Sequence, residues 1–138
     1  MLYEPTSLAL TTNPLGRALR EVYGVDPVAV FANAGLEFGT PPTPQQRYPL
    51  TTIRRLWQAA IEATGDPAIG LTTGWHVRPT DLYAFGFAWL ASSTLRGAFE
   101  RLCRFHRVLS TAVAVVTLNI DAQAALADQV FAEQQGWL

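Results

Sequence analysis

The chain has 138 residues, 49% of them hydrophobic, with ten basic and eleven acidic side chains and a net charge of −1. That length suits one domain of ordinary size with a sizeable core. The near-neutral charge argues against a nucleic-acid binder that works through bulk electrostatics. No apolar run approaches the ~18–20 residues of a membrane span, and the N-terminus lacks the positive n-region of a signal peptide, so no membrane partner is expected. The single cysteine, Cys103, can form no intramolecular disulfide, which suits a reducing cytoplasm. All ten basic residues are arginine; we read this as codon bias, although arginine is the better residue for planar anion contacts.

Residues 1–12 read as an irregular N-terminal segment. Asn13 then looks like an N-cap with Pro14 at the first helical position, where its missing N–H costs nothing. Leu15, Ala18, Leu19 and Val22 form the inward stripe of a short helix, and Gly24 stops it. Asp26 caps and Pro27 starts a second helix, with Val30, Phe31 and Ala34 inward and Gly35 at its end. Residues 37–49 hold four prolines and read as a loop.

The next helix carries Ile53, Leu56, Trp57, Ala60 and Ile61 on one face, with Arg54, Arg55, Gln58 and Glu62 on the wet side. Thr51 or Thr52 is its expected cap. Gly65-Asp66-Pro67 then reads as a helix stop joined directly to a helix start: a left-handed glycine, a capping aspartate and a first-turn proline. The chain turns again over residues 75–79. Residues 82–91, LYAFGFAWLA, are apolar on all sides and fit a buried helix or a buried strand equally. Ser93 or Thr94 caps a clearer helix whose inner stripe is Leu95, Ala98, Phe99, Leu102, Phe105, His106 and Leu109, with Arg101, Arg104 and Arg107 in an outward row. Residues 112–120 are β-branched and form the best strand, and residues 121–138 a helical extension or the remainder of the same domain. The outline predicts an α+β fold: a mostly helical single domain with a small antiparallel sheet, its main body over 13–120.

RYPL, LWQAAIEATGDPAIGL and ASSTLRGAFERLCRF, together with GVDPVAVFANAGLE upstream, occur in an order and spacing that carry a family likeness. In these segments the chain resembles the N-terminal effector-binding, arabinose-binding-like domain of AraC-type transcription regulators. The resemblance covers roughly residues 13–120 and is strongest over Trp57–Leu71 combined with Ser93-Thr94-Leu95. It implies a regulatory domain that binds a small organic effector and is not an enzyme; separately, an unpaired strand and exposed apolar surface favour a symmetric homodimer. Members of that family reach DNA through two C-terminal helix-turn-helix units. No such segment is apparent here, which suggests an excised domain or a truncated reading frame that contacts DNA only through an absent domain. In that case the chain could also serve as an interaction module that pairs with a full-length regulator.

Trp75, His76, Arg78 and Tyr83 lie close together in GWHVRPTDLY. Two aromatics, an imidazole and a guanidinium suit a carboxylated or aromatic small molecule, the arginine taking the carboxylate through two parallel hydrogen bonds. A plain structural turn is the default alternative. Tyr83, Phe85, Phe87 and Trp89 alternate, lining one face of a strand or spreading around a helix; ordinary core packing is their default role. Cys103 and His106 are helical neighbours, but one cysteine and two histidines make no zinc set, and no carboxylate is spaced to orient the imidazole. Neither catalytic residues, a metal nor a cofactor is expected. The expected ligand-binding residues are therefore Trp75, His76, Arg78, Tyr83, Phe87, Trp89, Phe99, Cys103 and His106.

Overall fold

The computed structural model describes residues 3–38, 43–113 and 116. Their order is strand β1 (Thr6–Leu8), a 3-10 turn (Ala9–Thr12), helices α1 (Asn13–Glu21) and α2 (Pro27–Asn33), strand β2 (Arg47–Pro49), helices α3 (Leu50–Thr64) and α4 (Ile69–Gly74), a second 3-10 turn (Pro79–Leu82), and helices α5 (Tyr83–Leu90) and α6 (Leu95–Leu109). The fold is α+β and mostly helical, with one two-stranded antiparallel sheet among the described residues.

The first four helices share one core. Leu15 and Leu19 of α1, Val30 and Phe31 of α2, Leu56 and Ala60 of α3 and Ile69 of α4 meet there, with Ala34 just past α2. The 3.6-residue stripes read from the sequence account for this packing, and burying each large aliphatic side chain contributes roughly 1.5–3 kcal/mol. One stripe position fails. Val22 is 54% exposed, because it caps the C-terminus of α1 and the helix ends before it can turn inward.

The punctuation is also local and mostly as read. The Asp26 carboxylate accepts from the Val28 N–H at 3.0 Å and Pro27 opens α2. Gly65 ends α3 in the left-handed conformation, φ 68°, its N–H donating to the Ile61 carbonyl. Three boundaries move. Thr12, not Asn13, precedes α1, and Asn13 is already its first residue. Pro49, not Thr51 or Thr52, precedes α3. Asp66 caps a turn by accepting from the Ala68 N–H at 2.8 Å, and α4 begins only at Ile69.

Larger corrections lie at the sheet. Residues 1–12 are not irregular throughout, and the proline-rich stretch 37–49 is not all loop: Thr6, Ser7 and Leu8 pair with Pro49, Tyr48 and Arg47 respectively. Three-residue strands are too short to show an alternation. The expected strand over 112–120 falls mostly outside the described residues, as does all of 121–138. What is described of that region begins with Ser110, which bridges to Ser7, while the Thr111 N–H donates to the Thr6 carbonyl at 2.9 Å.

Residues 82–91 resolve as helix: α5 takes Tyr83–Leu90. Its alternating aromatics therefore diverge, with Phe85 buried, Tyr83 and Trp89 half-buried and Phe87 60% exposed. In α6, Thr94 is the cap, accepting from the Gly97 N–H at 3.0 Å. Ala98 is its buried residue, while Phe99 and Phe105 are 36% and 44% exposed rather than inward. Arg101 leaves the expected outward row and turns in. It donates to the Ala88 carbonyl at 2.8 Å and to the Ser92 hydroxyl at 2.6 Å, placing a cation at the carbonyl end of α5.

Candidate functional site

The segment from His76 to Leu82 connects the four-helix core to α5, and a buried ion pair holds it. Arg17 of α1 donates to the His76 carbonyl from Nε and Nη2, at 3.2 and 2.8 Å, and from Nη2 to the Asp81 carboxylate. Asp81 is only 2% exposed. Its Oδ2 also accepts from the Arg78 N–H at 2.7 Å, and the Asp81 N–H returns a bond to the Arg78 carbonyl at 2.9 Å. A carboxylate is tolerable at that depth because it is both paired and hydrogen-bonded.

His76 belongs to this anchor. Its Nδ1 lies 3.0 Å from the Thr72 carbonyl, which can only accept, so Nδ1 carries the proton; Nε2 sits 3.4 Å from the Glu21 carboxylate. The imidazole thus joins α4 to α1. Trp75 stands 90% exposed beside it. The two neighbours point to different surroundings because they occupy successive positions of one turn.

Arg78 is exposed and is among the residues that line an open cleft of about 430 Å³ between the Pro79–Leu82 turn, α5 and α6. That volume lies in the small-molecule range, roughly 300–1,000 Å³. Val77, Arg78, Pro79 and Leu82 form one wall, Phe85, Gly86, Trp89 and Leu90 the second, and Leu102 and Leu109 the third. Two backbone features shape it. A Cβ on Gly86 would stand 1.8 Å from the Pro79 carbonyl oxygen, so only glycine lets α5 lie this close to the turn. Tyr83 has φ 53°, an uncommon conformation for a bulky residue, and there the chain reverses from turn to helix.

The sequence-predicted residues divide accordingly. Arg78 and Trp89 line the cleft; Trp75, His76, Tyr83, Phe87, Phe99, Cys103 and His106 are not among its walls. Phe99 packs edge-on against Trp89, centroids 5.3 Å apart, and so touches a wall residue without lining the cleft itself. The Tyr83 hydroxyl accepts from Gln45 Nε2 at 3.2 Å. His106 donates from Nδ1 to the Cys103 carbonyl at 3.0 Å, within its own helix and not to the thiol, and its Nε2 is buried without a hydrogen bond among the described residues. Among the described residues no group of three or more His, Cys, Asp or Glu side chains could hold a metal ion.

The residues that sequence reading left out are chiefly aliphatic. Leu102 and Leu109 stand on the α6 stripe, one heptad apart, so their signal was present but indistinguishable from core. Val77, Pro79, Leu82 and Leu90 carried none, since nothing local marks an apolar residue as facing a cleft instead of a core.

Comparison with known proteins bears on what such a cleft is for. Residues 24–134, well over half the chain, match the family model described as the arabinose-binding domain of AraC transcription regulator, N-terminal. The chain is similar to the ornithine utilization regulator of Pseudomonas aeruginosa, 28% identical over 104 residues, which cover 75% of this chain and 31% of that relative. The match therefore spans less than a third of the relative's length. No solved structure matches. The family is one of regulator sensing domains and not of enzymes. By the extent of its match, this chain belongs to the N-terminal arabinose-binding domains of AraC transcription regulators.

Proposed function

We propose that this domain senses a small organic effector in the cleft between the Pro79–Leu82 turn, α5 and α6, as part of a dimeric regulator acting in the cytoplasm. The observation that carries this reading is the cleft itself: about 430 Å³, apolar-walled and open to solvent, in a domain whose family is regulatory. One wall is the segment that Arg17 ties to α1. A ligand with higher affinity for one arrangement of that wall would bias the whole domain, by no more than its differential affinity for the two arrangements. DNA contact would then fall to helix-turn-helix units outside these 138 residues.

A thermal-shift screen of metabolites on the purified domain tests the reading, with Leu102→Trp as the control that fills the cleft. Hits that raise the melting temperature of the wild type and not of a folded Leu102→Trp domain are expected. Equal shifts in both would remove the effector from this cleft.

A second reading has its own support. Phe87 and Leu90 of α5 are 60% and 57% exposed, and Phe105 and Val108 of α6 are 44% and 41% exposed. Apolar surface of this kind suits a protein contact, so the domain could act by pairing with a full-length regulator. Light scattering of the same sample separates the two: a stable oligomer with no ligand hit favours pairing alone.

A further inference from the structure

We propose that the cleft takes an apolar monocarboxylate, its chain against the aliphatic and aromatic walls and its carboxylate on Arg78, and that it selects against polyols and diamines. This rests on the reading of the cleft as the effector site and specifies its ligand class.

The first argument is charge. Arg78 is the one ionisable side chain among the cleft's lining residues, and its guanidinium has no hydrogen-bond or ion-pair partner among the described residues. Asp81, three residues on in the same turn, is occupied: it is 2% exposed, paired with Arg17 and bonded to the Arg78 backbone N–H. Among the described residues the lining of the cleft therefore carries one positive side chain and no negative one. A planar guanidinium with five donors matches a carboxylate through two parallel bonds. A phosphate dianion would need more donors than this single residue supplies. An ammonium would meet like charge and find no carboxylate on any wall among the described residues.

The second argument is the walls. Leu82, Phe85, Leu102 and Leu109 offer no side-chain hydrogen-bonding group, and Trp89 offers one donor. A pentose carries a polar group on nearly every carbon, and each hydroxyl desolvated without a partner weakens binding. The family's sugar label thus fits this cleft poorly, whereas an alkyl or phenylalkyl chain loses nothing there.

The third argument is placement. Arg78 precedes Pro79, which restricts it to extended conformations; it sits at φ −116°, ψ 152°, with its N–H pinned by Asp81. Its Cα is thus fixed at the rim while the side chain stays exposed and unengaged. The Arg17–Asp81 pair prepares the binding residue without competing for its charge.

The test is isothermal titration of octanoate and 4-phenylbutyrate, with 4-phenyl-1-butanol, ornithine and L-arabinose for comparison, into the wild-type domain and Arg78→Gln. Both carboxylates are expected to bind the wild type, and Arg78→Gln to weaken them about tenfold, the loss of one charge-assisted pair at an exposed rim. Its affinity for the phenylalcohol should stay unchanged. Because the guanidinium has no partner, the melting temperature of Arg78→Gln should equal that of the wild type, and equality rules out misfolding as the cause. Arabinose or ornithine binding more tightly than the carboxylates, or carboxylate affinity indifferent to Arg78→Gln, would overturn the assignment of ligand class while leaving the sensing role standing. Failure of every probe to bind would also overturn it, and the wider metabolite screen alone would then decide the sensing role.

Discussion

Arg17 and Asp81, 64 residues apart in sequence, form an ion pair in which the carboxylate is 2% exposed and the arginine 19%. The pair joins the four-helix core to the cleft wall. Removing Arg17 leaves Asp81 buried with only the Arg78 N–H for support, so Arg17→Ala should destabilise the domain by about 3 kcal/mol. Asp81→Asn keeps the shape without the charge and should cost less. Urea unfolding of both variants checks the order; a loss under ~1 kcal/mol for Arg17→Ala would mean the pair does not hold the wall.

Tyr23 and Asp66 set a pH window. The Tyr23 hydroxyl donates to Asp66 Oδ2, and that bond, followed by the Ala68 N–H, holds the Asp66 carboxyl below its ordinary 3.8 against a smaller opposing effect of burial. The same bond to Asp66 chiefly pushes Tyr23 above its ordinary 10.0. A lowered carboxyl pKa adds stability above 3.8 that is lost as pH falls through the folded value. A raised phenol pKa adds stability below 10.0 that is lost as pH rises through the folded value. Tyr23→Phe should therefore flatten the acid limb of a melting-temperature profile below pH ~4 and the alkaline limb above pH ~10. A profile parallel to the wild type at both ends would show that the bond does not form in solution.

Two glycines make opposite predictions. Gly86→Ala drives a methyl against the Pro79 carbonyl oxygen, which is backbone and yields little. Overpacking of this kind costs about 3 kcal/mol and should also reshape the cleft. Gly70 lies within α4 with open space around its Cβ position, so Gly70→Ala should stabilise the fold by roughly 0.5–1 kcal/mol through helix propensity. Differential scanning calorimetry of the pair gives both signs in one comparison.

Arg47 ties the sheet to the end of α6. Its Nε donates to Thr6 Oγ1 at 2.7 Å, Nη2 to the Thr6 carbonyl at 3.1 Å and Nη1 to the Val108 carbonyl at 2.8 Å. Arg47→Ala should cost about 2 kcal/mol, the sum of charge-assisted bonds discounted for their partial exposure. Hydrogen exchange should accelerate at the Ala9 and Thr111 amides, whose acceptors are the Gln46 and Thr6 carbonyls. Unchanged protection there would show that β1 and α6 hold together without it.

Much of the fold was legible from the sequence, because its signals are complete within a few residues. Asp26-Pro27 opens α2 and Gly65 closes α3, each through bonds that span at most four residues. The stripes of Leu15 and Leu19, Val30 and Phe31, and Leu56 and Ala60 recur at the helical period and assemble one core. The strands were not legible, since a three-residue strand has no periodicity and β1 meets its partner about forty residues on. Nor was α5, whose uniformly apolar run carries no phase to separate helix from strand.

The sequence by itself determined most of the helical punctuation, the inward stripes of the first three helices and, through its quoted segments, the family, all of which rest on local geometry or residue order. Only the tertiary structure decided which residues share a cleft. Trp75, His76 and Arg78 are near neighbours in the chain, yet one stands in solvent, one meets Glu21 and one lines the cleft. Leu102 and Leu109 of α6, each more than twenty residues further along the chain, join Arg78 there. Side-chain direction within a turn depends on backbone angles that its own few residues leave open, and here the buried Arg17–Asp81 contact sets them from the other half of the fold.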